Sequence, residues 1–254
     1  MAITIKSERE IELMAEAGKI LERVHNELEK ALRPGMSTKD IDTLGEEIIR
    51  SYGCIPSFLN YNGYPASICV SVNQEVVHGI PDKHRIIQEG DIVSLDAGVI
   101  YKGYHSDAAR THAVGEVSEE AKKLIQVTKE CFFEGIKYAK AGNHLFDISG
   151  AIGRYAEERG YGVVRDLCGH GIGTALHEAP EIPNYEVGRK GVRLRPGMTL
   201  AIEPMINIGT YEVDWLDDDW TVVTRDGSLS AHYENTILIT EGEPRILSLT
   251  CENE

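Results

Sequence analysis

Apolar residues recur at helical spacing from Ile11 through Met14, Leu21, Val24, Leu28 and Leu32, which predicts an amphipathic helix over about 7–32. Ser7 and Glu10, in S-E-R-E, form a capping box at its start, and Pro34-Gly35 stops it. Ser37 with Asp40 opens a second helix, whose buried face is Ile41, Leu44, Ile48 and Ile49; it ends near Gly53. Residues 58–80 predict a loop, a strand and a second short apolar run. The β-branched and apolar run Ile92, Val93, Leu95, Val99 and Ile100 then meets Lys102-Gly103, so 91–115 predicts a hairpin. A helix over 118–140 (Leu124, Val127, Phe132, Ile136) stops at Ala141-Gly142, and a shorter one over 145–159 stops at Gly160. Strands and loops fill the rest, from Val163 to Leu249.

The hairpin carries two aspartates. With Lys102 and Gly103 at the centre of the turn, Tyr101 faces Tyr104 and Asp96 falls opposite Ala109. Asp107, two residues from Ala109, then shares the face of Asp96. Diagonal neighbours of this kind are roughly 7–8 Å apart at the backbone, so both carboxylates reach toward a common cation. Without one they repel each other on an otherwise apolar strand. Two solvated aspartates on an exposed face fit the hairpin equally well, and the hairpin alone leaves the choice open.

An internal repeat narrows it. The chain runs helix, helix, strands, hairpin, and then does so again. RPGMSTKDID (33–42) aligns with KAGNHLFDIS (140–149), each with Gly five residues before Asp-Ile. HGI recurs at 78–80 and 170–172. EGDIVSLD (89–96) aligns with PGMTLAIE (196–203), and His105-x-Asp107 with His232-x-Glu234. The repeats span about 7–115 and 118–249 within a single domain, 1–254. Glu203 and Glu234 thereby become counterparts of Asp96 and Asp107. If the halves pack sheet against sheet, four carboxylates converge, and four buried anions require cations. His170, in CGHGIG, is a fifth candidate ligand; His78, in the matching HGI, stays open beside it. One imidazole with four carboxylates suits Mn, Fe(II), Co or Zn. Five side chains exceed what one small cation takes while keeping an open position, which points to two ions sharing carboxylates, as in metal-assisted hydrolysis.

Composition restricts the partners. Of 254 residues 42% are hydrophobic and 26% charged, as in ordinary globular chains. A net charge of −15, from 41 acidic and 26 basic residues, argues against a nucleic-acid or anionic-membrane surface. The start, MAITIKSEREIELM, has no apolar signal core, and no run of 18 apolar residues occurs. Five scattered cysteines (Cys54, Cys69, Cys131, Cys168, Cys251) make no C-x-x-C pair. A reducing cytoplasm is the expected setting. No heptad or repeated apolar patch is evident, which does not fix the oligomeric state; a monomer is the expectation.

Asp96 with Asp107 eleven residues on, GHGIG at 169–173, AIEP at 201–204 and GSLSAHYENT at 227–236 together resemble the type I methionine aminopeptidases over essentially the whole chain. The resemblance implies an α+β "pita-bread" (creatinase/aminopeptidase) fold: two helix-helix-sheet halves, related by a pseudo-two-fold axis, around a dinuclear metal centre. It implies Asp96, Asp107, His170, Glu203 and Glu234 as ligands of two divalent ions, with Asp107 and Glu234 bridging. Asp96 would complete one ion, His170 and Glu203 the other, with Glu203 also handling the proton of the attacking water. His177 would hydrogen-bond the scissile carbonyl, and His78 would sit by the scissile nitrogen. The methionine pocket is implied at Tyr61, Tyr64, Cys69, Leu176 and Trp220; aromatic rings and a thiol suit a thioether. Trp215 to Trp220 looks like a loop at its mouth, and its acid run fits a solvated turn equally well.

The implied activity is hydrolytic removal of the initiator methionine from nascent proteins and peptides whose second residue is small. That makes the chain a cytoplasmic metallo-aminopeptidase with the ribosome as a candidate neighbour. Some positions depart from the family pattern. Ser106 and Ala108 stand in the usual H-G-D-[ST], Asn62 where His is common, Leu176 where an aromatic is common, and His232 and Asn235 in place of Gln and His. An X-Pro-specific aminopeptidase or dipeptidase of the same fold is one alternative reading, and a non-catalytic peptide-binding module is another.

Overall fold

The computed structural model describes residues 3–249, so the Met1-Ala2 start and Cys251 lie outside the described residues. The first half contains α1 (Glu8–Ala31), α2 (Thr38–Ser51), β1 (Ile55–Pro56), β2 (Ile68–Val72), β3 (Glu75–Val77), β4 (Ile92–Tyr101) and β5 (Tyr104–Ala113). The second opens with α3 (Glu119–Ile136), α4 (Leu145–Glu157), β6 (Gly162–Val163), β7 (Gly169–Gly171), β8 (Glu178–Ile182) and β9 (Thr199–Ile202). It closes with β10 (Met205–Asn207), β11 (Val213–Trp215), β12 (Val222–Thr224), β13 (Ser230–His232), β14 (Glu234–Leu238) and β15 (Arg245–Ile246).

The first two helices begin where the caps predict, and the fourth has a cap of the same kind. The Glu10 carboxylate accepts from the backbone N–H and the hydroxyl of Ser7, each at 2.7 Å. Asp40 accepts from the Ser37 backbone N–H at 2.8 Å, and Asp147 from that of His144 at 2.8 Å. The third helix closes at Ile136, earlier than its sequence suggests. Tyr138 and Ala139 instead donate three residues back, to Gly135 and Ile136, each at 3.0 Å, a tightening that ends the α-helix.

Each helix pair covers one part of a nine-stranded sheet. Its path is β1-β4-β5-β14-β9-β7-β8, with β2 on β4 and β15 on β14. Leu21, Val24, Leu28, Ile41 and Ile49 pack on Ile68, Val70, Val93 and Leu95 in the first core. Leu124, Phe132, Leu145, Ile148 and Ile152 pack on Leu200, Ile202 and Ile237 in the second. Burial of each such side chain contributes about 1.5–3 kcal/mol. The two halves also repeat their backbone bonds. Gly35 donates to Ile87 at 2.9 Å and Ile87 to Met36 at 2.8 Å. In the second half Gly142 donates to Leu194 at 3.0 Å and Leu194 to Asn143 at 2.8 Å.

The halves meet between β5 and β14, which pair only at Glu234↔Ala109 and Asn235↔Ala108. Side chains complete the seam. The Thr236 hydroxyl accepts from the Asp107 N–H and donates to the Asp107 carbonyl, both at 2.9 Å. Thr111 does the same for the N–H and carbonyl of His232, again at 2.9 Å. The Arg110 guanidinium donates to Ala109 O at 2.7 Å, to Asn235 Oδ1 at 2.6 Å and to the Glu234 carbonyl.

The sheet also depends on a close approach at α1. A Cβ on Gly18 would lie 1.9 Å from the carbonyl oxygen of Leu247. Gly18→Ala is therefore expected to cost about 1–3 kcal/mol through overpacking, read as a lower urea-unfolding midpoint with an unchanged slope.

Candidate metal centre

Five neighbouring strands converge on one cavity. Asp96 lies on β4, Asp107 on β5, Glu234 at the start of β14, Glu203 just after β9 and His170 on β7. These strands are consecutive in the sheet path. The hairpin register is the expected one: Lys102 and Gly103 both take positive φ (49° and 88°), Tyr101 faces Tyr104, and Asp96 faces Ala109. His170 is brought in by tight packing around its glycines. A Cβ on Gly171 would sit 2.2 Å from the Ala179 carbonyl oxygen.

The cavity holds about 160 Å³ and is lined by all five residues together with Tyr61, Tyr64, Cys69, His78, Leu176, His177 and Trp220. Ligand atoms of Asp107, His170 and Glu234 lie within 4.8 Å of one another. His170 Nδ1 donates to the Gly171 carbonyl at 2.9 Å, which leaves the Nε2 lone pair facing inward. That nitrogen is 3.6 Å from Glu203 Oε1 and 3.9 Å from Asp107 Oδ2. Burial holds the ring neutral, its pKa pushed down to about 3.

The carboxylates are poorly compensated by protein alone. Asp96 Oδ1, Asp107 Oδ1 and Glu234 Oε1 are buried with no hydrogen-bond partner among the described residues. Desolvation raises Asp96 to about 7 and Glu203 to about 8. It raises Asp107 and Glu234 well above the carboxylate range, with the neighbouring carboxylates adding to it. Buried oxygens without donors, beside an imidazole lone pair, fit divalent cations.

An aromatic pocket adjoins the carboxylates. Asn60 and Asn62 adopt positive φ (65° and 49°), which asparagine tolerates, and the resulting loop presents Tyr61 and Tyr64. Cys69 pairs directly with Asp96 across β2 and β4, and burial keeps its thiol protonated as an apolar wall. Trp220 packs edge-on against Tyr64 (5.1 Å) and His78 (6.3 Å). Asp218 holds the Trp220 loop by accepting from the N–H groups of Trp220 and Thr221 at 2.9 and 2.7 Å. Trp215 and Leu216, at the other end of that loop, are exposed. The Tyr61 hydroxyl lies 2.7 Å from His177 Nδ1. Burial holds the Tyr61 phenol above its ordinary range; with the phenol donating to Nδ1, His177 would carry its proton on Nε2.

Two lining residues fall outside the sequence-derived pocket: Phe58 and Asn62. Phe58 stands three residues before Tyr61, at the start of the segment whose sequence predicts a loop. Ala108, where the family pattern has a hydroxyl, faces away from the metal centre into the first core. The Asp107 backbone beside it is held by Thr236 instead.

A model of metallopeptidase family M24 matches residues 12–241. The methionine aminopeptidase of Clostridium acetobutylicum is 58% identical over 250 residues, which is 98% of this chain and 100% of that protein. The crystal structure of methionine aminopeptidase from Thermotoga maritima has a TM-score of 0.96 at 47% identity, covering 98% of this chain and 100% of that one. The Xaa-Pro dipeptidase from Bacillus anthracis has a TM-score of 0.78 at 28% identity, and the match covers 97% of this chain but 62% of that one.

The raised carboxylates set a pH dependence. Their neutral forms stabilise the metal-free fold fully below the unfolded carboxylate range near pH ~4. That stabilisation is lost as pH rises through about 7 for Asp96 and about 8 for Glu203. A bound cation favours the ionised forms. The rise in Tm on adding Mn²⁺ to metal-stripped protein is therefore expected to be larger at about pH 8 than at about pH 5.5. Calorimetric scans at both pH values check this; a pH-independent gain contradicts it.

Proposed function

We propose that this chain, which belongs to metallopeptidase family M24, removes the N-terminal methionine from nascent proteins and peptides whose second residue is small. The observation that carries the reading is the set of orphaned carboxylate oxygens facing the His170 lone pair, beside a pocket walled by a thiol and aromatic rings. Asp96, Asp107, His170, Glu203 and Glu234 would hold two divalent cations, with Asp107 and Glu234 shared. When bound, the cations supply Lewis acidity and make a water nucleophilic near neutral pH.

The protein's own groups do the rest. Tyr61, Tyr64, Cys69, Leu176 and Trp220 enclose the methionine side chain and fix the first peptide bond over the carboxylates. His177 donates from Nε2 to the carbonyl oxygen as negative charge develops there, its tautomer set by Tyr61. His78, held neutral by burial at a pKa of about 4, stands by the scissile nitrogen. Glu203 takes the proton of the attacking water and passes it to the leaving amine. Ligands from both halves make 1–254 one catalytic domain, and the cavity is complete within one chain, so a monomer suffices. Nascent N-termini place the work in the cytoplasm, near the ribosome.

Release of methionine from Met-Ala-Ser, assayed anaerobically with Mn²⁺, Fe²⁺ or Co²⁺, tests the reading. Turnover with at least one metal is expected. No turnover with any of them, or preference for X-Pro peptides, contradicts it. His170→Ala and Glu203→Ala are expected to abolish release while circular dichroism stays unchanged. Tyr61→Phe keeps the ring and loses one orienting hydrogen bond, so kcat is expected to fall roughly two- to tenfold with KM nearly unchanged.

A further inference from the structure

Glu203 lies between two imidazoles, and the ligand set proposed above uses only one of them. Its Oε1 faces His170 at 3.6 Å, while its Oε2 lies 3.5 Å from Nε2 of His232. His232 is 1% exposed and ends β13. It is absent from the lining of the methionine pocket. It lines a separate polar cavity of about 340 Å³, with His25, Arg110, Thr111 and Tyr233 among its walls. Neither ring nitrogen has a hydrogen-bond partner among the described residues. A buried ring in that condition is costly unless it serves something. Its backbone, by contrast, is clamped on both sides by the Thr111 hydroxyl. Burial keeps the ring neutral, so it offers one N–H and one lone pair. Glu203 Oε2 is an acceptor within reach of Nε2, and the polar cavity has room for the water that Nδ1 needs. A closing movement of roughly 0.5 Å turns the Nε2 contact into a hydrogen bond of ordinary length.

We propose that His232 is a positioning residue for Glu203. Its Nε2–H donates to Oε2 and turns Oε1 toward His170 and the metal centre. The inference rests on the proposed ligand set. A core-filling role for His232 would affect stability alone, whereas a positioning role acts on metal binding and on kcat.

Mn²⁺ is titrated calorimetrically into metal-stripped wild type, His170→Ala, His232→Leu and His232→Gln, and kcat and KM are measured on Met-Ala-Ser. His232→Leu is expected to lose about 10–100-fold in Mn²⁺ affinity, with a comparable loss in kcat and little change in KM. His232→Gln, which restores an N–H donor of similar reach, is expected to recover most of both. His232→Asn, polar but too short to reach Glu203, takes the place of His232→Leu if that variant does not fold. Wild-type Mn²⁺ affinity in His232→Leu or His232→Asn, alongside loss in His170→Ala, overturns this inference and leaves the ligand set standing. Wild-type affinity in His170→Ala overturns the ligand set and this inference together.

Discussion

Four carboxylates share one buried space in this molecule, and the cost of that arrangement governs the rest. Desolvation pushes all four upward, repulsion from neighbouring carboxylates adds to it for Asp96, Asp107 and Glu234, and no buried cationic side chain among the cavity walls opposes them. Such a cluster persists when the backbone holds it in place and protons or bound cations neutralise it. The backbone part is visible in the sheet. Five adjacent strands deliver one ligand candidate each, and a helix pair anchors each half through its own apolar core. Both cores lie away from the cavity, so stability and chemistry are carried by different faces of the same strands.

The weakest backbone link is the one closest to the chemistry. Asp107 and Glu234, the proposed bridging pair, come from strands that share only two paired positions. Thr236, Thr111 and Arg110 supply the missing seam, bonding backbone groups that the interrupted ladder leaves free. This frame explains how Ala108 is tolerated. Its methyl group fills the first core, on the opposite strand face from Asp107, and the hydroxyl that holds Asp107 comes from the other half.

Much of this was legible in the sequence. Period-two patterning around Lys102-Gly103 fixed the hairpin register to the residue. The matched segments 33–42 and 140–149 correspond to capping and backbone bonds that recur in both halves. The ligand candidates were readable because a carboxylate on an apolar strand is conspicuous. Contacts that depend on ring orientation across long separations were not. The Tyr61–His177 bond spans 116 residues, and spacing says nothing of which way either ring turns. Phe58 was hidden because it opens a segment read only as a loop, whose path through positive φ at Asn60 and Asn62 the sequence pattern does not specify. His232 was readable as a departure from the family pattern, but its contact with Glu203 exists only once β9 and β13 are folded together.

The likeness to the Xaa-Pro dipeptidase sets the level at which specificity is decided. It shares the fold over nearly this whole chain at 28% identity, so the fold alone does not select the substrate. In the proposed reading the pocket walls do, and here they are aromatic and thiol. The central claim is narrower still: the buried cluster is a two-cation site. Anomalous diffraction from crystals soaked in Mn²⁺ tests it most directly. The account predicts two peaks inside the cavity, both touching Asp107 and Glu234, one next to Asp96 and the other next to His170 and Glu203. A well-ordered cavity without manganese peaks, or peaks confined to the acidic surface, would contradict it.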